Sequence, residues 1–367
     1  MQAHPMNENS VTAYAPGRVE LLGNHTDYNE GYVLSAAIDR GVTISGRRVD
    51  EARISLHSST IEPSATAELG DIRPARTWAD YPLGVVKCLL DEGFPLGGFN
   101  AEIASDLPIG AGLSSSAALE VATATLLVKL FHLELEPLRL AKLCRKAENE
   151  FAGMNCGLLD QATSVFGRKN HAIFLDCRNE TIEHVPFPGD LALLITHSGV
   201  KHALVGGEYN ERREQCFEAA RLLGAKALRD VTLEQMRAAR SVLPEEIYKR
   251  ALHIVGENER VLQGVEFLKR GETERFGKLM FESHESSRFN FENSSRELDD
   301  LVIVASKEEG VLGSRLTGGG FGGATVSLIR REASAEITKN IAAKYKERTG
   351  NDCGIYLCEI AEGAHIA

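Results

Sequence analysis

"RLTGGGFGGATVSL", residues 315–328, decides between two architectures that mix helices and strands. Gly318, Gly320 and Gly323 fit the pattern G-x-G-x-x-G, which in a dinucleotide-binding fold stands between a strand and a helix. Here the residues that follow alternate as a strand does, so these glycines do not open a dinucleotide site. No G-K-[ST] occurs anywhere, which removes a Walker A loop. Five glycines in residues 318–323 leave two readings open: a hairpin or bulge, or backbone packed tightly against a partner.

Around this stretch, "LALLITHSG" (191–199) has the character of a buried strand, and "GEYNERREQCFEAARLLG" (207–224) that of an amphipathic helix. Residues 230–310 are mostly helical in pattern, and 336–350 form a further helix. Earlier, "YVLSAAI" and "GVTISGRRV" are short β-like runs, and "GFNAEIASD" places Phe99, Ala101 and Ile103 on one face of a strand. Leu119, Ala122, Thr123, Leu126, Leu127 and Leu130 recur at helical spacing, and residues 137–151 continue as another helix. "AGMNCG" breaks it before a short restart in "LLDQATSVF". Without strict βαβ alternation the fold class is α+β, not doubly wound. The expected division is 1–190 and 191–367.

The chain has 367 residues and a net charge of −11, which argues against nucleic acid or anionic membrane as the main partner. No apolar run approaches the roughly 20 residues of a membrane span. "MQAHPMNENSV" lacks the basic start and apolar core of a secretory signal. Cysteines 88, 144, 156, 177, 216, 353 and 358 are scattered without C-x-x-C, as expected of reduced thiols in a cytoplasmic protein.

Three further stretches carry chemistry. "LPIGAGLSSSAALE" (107–120) joins the strand near 99–104 to a helix starting near Ser115. Gly110 and Gly112 let backbone approach a ligand, and a helix N-terminus behind Ser114, Ser115 and Ser116 suits an anion such as phosphate. A serine-capped helix is the plain alternative. "AENEFAGMNCGLLDQ" (147–161) places Asp160 in the first turn of a helix, where the dipole favours the carboxylate, with Glu148 on the helix before. "APGRVELLGNHTDYNEG" (15–31) sets Arg18 and a row of polar residues, Asn24 to Asn29, behind a Pro-Gly turn; an ordinary solvated loop is the plain alternative.

Together these stretches resemble the galactokinases of the GHMP small-molecule kinase family, in order along most of the chain. Residues 17–29 are similar to the signature GRVNLIGEHTDYN, and 107–120 to the phosphate-binding motif. "NCGLLDQ", "GEYNERREQC" and "LTGGGFGG" match three more segments. The resemblance implies an N-terminal ribosomal-S5-like domain and a C-terminal ferredoxin-like domain with the active site in the cleft between. It implies transfer of the ATP γ-phosphoryl group to the C1 hydroxyl of a sugar, with Mg2+. On that basis Asp160 is the catalytic carboxylate and Arg18 the arginine beside it. Ser116 (or Ser115) and Glu148 match the Mg2+ ligands, and Gly110, Gly112, Ser114, Ser115 and Ser116 the phosphate loop. Trp78 matches a tryptophan beside the adenine. Asn24, His25, Asp27, Gly157, Asp160 and Tyr209 match sugar contacts. A monomer is expected.

Asn24 departs from the family, which carries Glu there, expected near the sugar C6 hydroxyl. The loss of charge leaves room for galacturonate or another C6-altered sugar as the substrate in place of galactose. Ser35, where Pro is common, is a second departure. Sugar-sensing relatives without catalysis offer a reading from another class, and the intact Arg18, Glu148 and Asp160 speak for an enzyme.

Overall fold

The computed structural model describes residues 10–108, 110–200 and 205–367. Its strands form two sheets among the described residues. The larger runs in the order His365–Ile366, Val11–Leu22, Tyr32–Arg48, Phe99–Ser105, Arg53–Ser58, Ala65–Glu68. His171–Asp176 and Thr181–Pro186 extend it from the first residues of Tyr32–Arg48. Its one parallel pairing joins Arg53–Ser58 to Phe99–Ser105. The smaller sheet is antiparallel throughout, in the order Gly354–Cys358, Leu191–His197, Ala324–Arg330, Val311–Thr317. This is the α+β arrangement expected from the sequence. No described helix is long and apolar enough to cross a membrane.

The buried strand Leu191–His197 shows why its sequence is apolar without alternation. Leu191, Leu193 and Ile195 enter the main core, while Ala192 and Leu194 pack with Ile337, Ile341 and Tyr345 of the helix Ser334–Thr349. Both faces are covered, and each buried leucine or isoleucine contributes roughly 1.5–3 kcal/mol. The helix Ser115–Leu130 buries all six residues that its spacing assigned to one face, and packs on Val11–Leu22 and Tyr32–Arg48.

Three local expectations are corrected. The runs at 32–38 and 41–49 are one strand, Tyr32–Arg48. The polar step at 39–41 survives in it because the pairing register shifts opposite Pro16 and Arg18, and Gly41 lies where a Cβ would stand 2.2 Å from the Ala15 carbonyl oxygen. Pro16-Gly17 is accordingly no turn but an irregularity inside the strand Val11–Leu22. The helix expected over 137–151 is α-helical only over Pro137–Lys146 and widens into a π segment, Ala147–Ala152. Such π turns redirect side chains, often at functional sites; this one carries Glu148, and a second, Ser287–Phe291, leads into Asn293.

The glycine-rich turn 318–323 links Val311–Thr317 to Ala324–Arg330, with Thr317 opposite Ala324. A strand thus follows it, as its alternation indicated. The strand before it is set by glycines on two elements. A Cβ at Gly313 would lie 2.3 Å from the Gly277 carbonyl oxygen, and one at Gly277, on the helix Thr273–Ser286, 2.1 Å from that of Leu312. Overpacking of this kind costs about 1–3 kcal/mol. Gly277→Ala should therefore lower the unfolding free energy from a urea melt by that amount, with a lower midpoint; an unchanged midpoint would show that the helix and strand separate freely.

Candidate active site

The two sheets meet at a cavity of about 380 Å3. From the first strand and the turn after it come Arg18, Asn24, His25 and Asp27. Glu148, Gly157 and Asp160 enter from the π segment, the loop and the helix Leu159–Phe166. Tyr209, on the helix Val205–Leu222, closes one side, and Gly318 and Gly319 another.

The polar row is no solvated loop. Asn24, His25, Thr26 and Asn29 are all buried. Thr26 Oγ1 donates to the carbonyls of Gly23 and Tyr32 at 2.7 and 2.6 Å, and Asn29 Nδ2 to that of His25 at 2.8 Å. The backbone N–H groups of Gly23 and Asn24 both donate to Glu257 Oε2 at 2.9 Å. Burial opposes charge on Glu257, yet Arg260, Arg315 and these amides hold its carboxyl well below the usual range.

His25 has a fixed tautomer. Its Nε2 lies 2.9 Å from the Gly319 carbonyl, which can only accept, so Nε2 carries the proton and Nδ1 accepts from Tyr28 Oη at 2.8 Å. Burial lowers its pKa to about 4, so the ring is neutral near pH 7. Both ring nitrogens are thereby engaged within the protein. The Asn24 side chain is engaged likewise, through Glu20, Gly318 and Asn293.

Asp160 joins the cavity to the serine loop. Its Oδ1 accepts from Arg18 Nε at 2.7 Å, and its Oδ2 from the Ser114 hydroxyl. Arg18 Nη1 donates to the Gly112 carbonyl at 2.7 Å, and its backbone N–H to that of Leu113 at 3.1 Å. Gly110, Gly112 and Ser114 all have positive φ. Ser114 precedes the helix Ser115–Leu130 without capping it, because its hydroxyl is turned to Asp160. The plain cap is thus ruled out for Ser114, and the helix N-terminus keeps N–H groups for a ligand. The backbone of this loop lies against the glycine turn: a Cβ at Gly318 would stand 3.3 Å from the Gly112 carbonyl oxygen. That is the tight packing left open by the run of glycines.

Ser116 hydrogen-bonds Glu148, whose carboxyl is raised by burial and by the nearby Asp160. Gln161 Nε2 donates to Glu148 Oε2 at 2.6 Å and to Glu120 Oε2 at 3.1 Å. Ser115, the first helical residue, is exposed. Trp78 lies outside the cavity: it is half-buried ahead of the helix Asp80–Asp91, and its indole N–H donates to the Pro63 carbonyl at 3.1 Å.

Sequence reasoning passed over Glu20, Glu120, Gln161, Asn293 and Arg315. The signal existed for three of them. Glu20, Glu120 and Arg315 are single charges set in apolar runs, and each is buried.

A GHMP kinases N terminal domain model matches residues 80–168, and a GHMP kinases C terminal model residues 265–347. A model described as the galactokinase galactose-binding signature matches residues 4–48. A galactokinase of Roseiflexus sp. (strain RS-1) is 42% identical over 96% of this chain and 92% of its own. One from Thermotoga petrophila is 42% identical over 95% and 98%. The crystal structure of Lactococcus lactis galactokinase complexed with galactose superposes with a TM-score of 0.94 at 32% identity, covering 98% of this chain and 96% of that one. A mevalonate kinase, at TM-score 0.67 and 23% identity, shares the fold. The chain belongs to the galactokinase family of the GHMP kinases, enzymes whose phosphoryl donor is ATP.

Asp27 faces Gly157 so closely that a Cβ at 157 would lie 2.2 Å from Asp27 Oδ2. Burial raises the Asp27 pKa from 3.8 to about 6. The folded protein therefore holds this proton more tightly than the unfolded chain, and the group's contribution to stability falls as pH rises from about 4 to 6. A carboxyl-carbon NMR titration should give a midpoint near 6 for Asp27. Asp27→Asn should remove that descent from the stability profile; a midpoint below 5 would contradict the assignment.

Proposed function

We propose that this enzyme transfers the γ-phosphoryl group of ATP to the C1 hydroxyl of D-galactose, giving galactose 1-phosphate and ADP. The observation that carries the proposal is the Arg18–Asp160–Ser114 junction, where one carboxylate faces the cavity and is tied to the serine loop. Phosphoryl transfer needs positioning and charge stabilisation more than covalent chemistry. The N-terminus of the helix Ser115–Leu130 and the loop at Gly110 and Gly112 receive the phosphates. Asp160 orients the C1 hydroxyl and accepts its proton late, while Arg18 fixes the carboxylate and offsets developing charge. Asp27 and Tyr209 read the sugar hydroxyls, with His25 and Asn24 as a rigid wall and Gly157 giving Asp27 its room.

The donors fit Mg2+. Among the described residues no group of three His, Cys, Asp or Glu side chains forms a cage. Mg2+ is ordinarily held by one or two carboxylates with substrate phosphates and water, and the Ser116 hydroxyl beside the Glu148 carboxylate supplies that partial set. Bound there, Mg2+ neutralises charge on the phosphoryl oxygens. Trp78 is assigned to the adenine side: it precedes the helix Asp80–Asp91, which packs on the Glu148 segment and the helix Ser115–Leu130. The proposal extends to two bodies, 1–190 and 191–367, a monomer, and a cytoplasmic setting, which the seven unpaired cysteines suit.

Steady-state kinetics with galactose, glucose, N-acetylgalactosamine, galacturonate and 6-deoxygalactose should rank galactose first in kcat/KM; a different leader overturns the substrate. Asp160→Asn should lower kcat about 100- to 10,000-fold, and near-normal turnover would remove the carboxylate from the chemistry. Glu148→Gln should raise the Mg2+ concentration needed for half-maximal rate and for Mg2+-dependent nucleotide binding about tenfold or more. An unchanged Mg2+ requirement would place the metal elsewhere.

A further inference from the structure

Set beside the family signature GRVNLIGEHTDYN, this chain has Glu20 where the signature has Asn and Asn24 where it has Glu. Two residues four positions apart have exchanged an acid and an amide, and the structure joins them. Asn24 Nδ2 donates to Glu20 Oε1 at 3.0 Å, and both residues line the cavity. The other Nδ2 hydrogen goes to the Gly318 carbonyl at 2.8 Å, and Asn24 Oδ1 accepts from Asn293 Nδ2 at 2.9 Å. A carboxylate and a carbonyl can only accept, so the amide cannot turn over. Asn24 has no N–H left with which to read a ligand.

Glu20 is differently placed. Fully buried Arg315 donates through Nη1 to Glu20 Oε1 at 2.7 Å and to its backbone carbonyl at 3.2 Å. Its own N–H donates to Thr317 Oγ1 at 3.2 Å. Arg315 supplies the counter-charge that lets a carboxylate persist at this depth. Both side-chain partners meet Oε1, and neither takes Oε2.

We infer that Glu20 is the substrate-reading carboxylate of this wall and that Asn24 is its positioning residue. The inference rests on the galactose proposal and refines it. The acid lost at position 24 is not lost from the site; it is delivered from the preceding strand, Val11–Leu22, and held by Arg315 and the Asn24 amide. The ligand it takes is a neutral sugar that offers a hydroxyl as donor at the C6 end. A hexuronate would bring a second carboxylate against Glu20 in a buried wall, where like charges repel strongly. Asn24 therefore does not open the site to galacturonate.

The test uses the full-length enzyme and four variants: Glu20→Gln, Glu20→Asn, Asn24→Glu and the double variant Glu20→Asn with Asn24→Glu. The wild type is assayed first. If it phosphorylates no galactose, the galactose proposal fails and the wall is not at issue. Given wild-type activity, Glu20→Gln should raise KM for galactose about tenfold or more, with a smaller change in kcat. It should leave 6-deoxygalactose, which lacks the C6 hydroxyl, within about twofold, and should improve galacturonate relative to galactose. Asn24→Glu alone should lose galactose activity, because it sets two carboxylates side by side. The double variant should recover kcat/KM to within about threefold of wild type. Thermal melts and ATP affinity check each fold; if Glu20→Asn is unstable because Arg315 loses its partner, Glu20→Gln and the double variant decide. Equal losses for galactose and 6-deoxygalactose would reduce Glu20 to a structural role. A double variant no better than the worse single one would overturn the exchange.

Discussion

The carboxylate of Glu257 is the constraint on which the cavity depends. It is fully buried in the middle of the helix Glu245–Lys269, and it accepts from the amides of Gly23 and Asn24, from Ser283 Oγ and from Arg260. A buried charge is expensive unless every lone pair is used, and here five groups, including Arg315 at longer range, share the task. The result is that the turn after the first strand cannot move independently of a helix more than 200 residues later. The backbone at Gly23 and Asn24, where that turn begins, is held by this anchor. His25 has its two ring nitrogens assigned, Asn24 its amide fixed, and Asp27 its narrow slot against Gly157.

A wall built in this way selects by rigidity. Its donors and acceptors are matched to one another before any sugar arrives, so little reorganisation accompanies binding. Among the side chains that line the cavity, Asp27, Glu20 and Asp160 are carboxylates and Tyr209 is a phenol, and they suit a molecule rich in hydroxyls. Arg18 is a cation, and its guanidinium is turned to Asp160 and the Gly112 carbonyl, on the side of the serine loop. Asp160 thus joins the cavity to the serine loop.

Much of this was legible in the sequence because the signals are local. Helical spacing over 115–130 and alternation over 324–330 depend only on neighbours, and both elements formed where they pointed. The clustering of Arg18, Asp160 and the serine loop was legible through motif resemblance. What was not legible depends on distant partners. The saturation of Asn24 requires a carbonyl 294 residues away, and the support of Glu20 an arginine 295 residues away. The single strand Tyr32–Arg48 looked like two because its polar step is tolerated only through a register shift in the neighbouring strand. The widening of the helix at Ala147 leaves no compositional mark, since a π turn differs from an α turn only in which carbonyl each N–H finds.

The short strand His365–Ile366 lies antiparallel to Val11–Leu22, with Ile366 opposite Ala13, and the Ala367 N–H donates to the Thr12 carbonyl. The outer edge of the earliest strand of the larger sheet is thus covered at Ala13 and Tyr14 by residues about 350 positions later in the sequence. Closure there joins two segments far apart along the polypeptide, and the edge stays unpaired until the later one has formed. Because the entropy of closing a loop grows only logarithmically with its length, so late a seal adds little to the thermodynamic cost of folding. Its cost is one of order: that part of the edge stays open while the intervening residues are made.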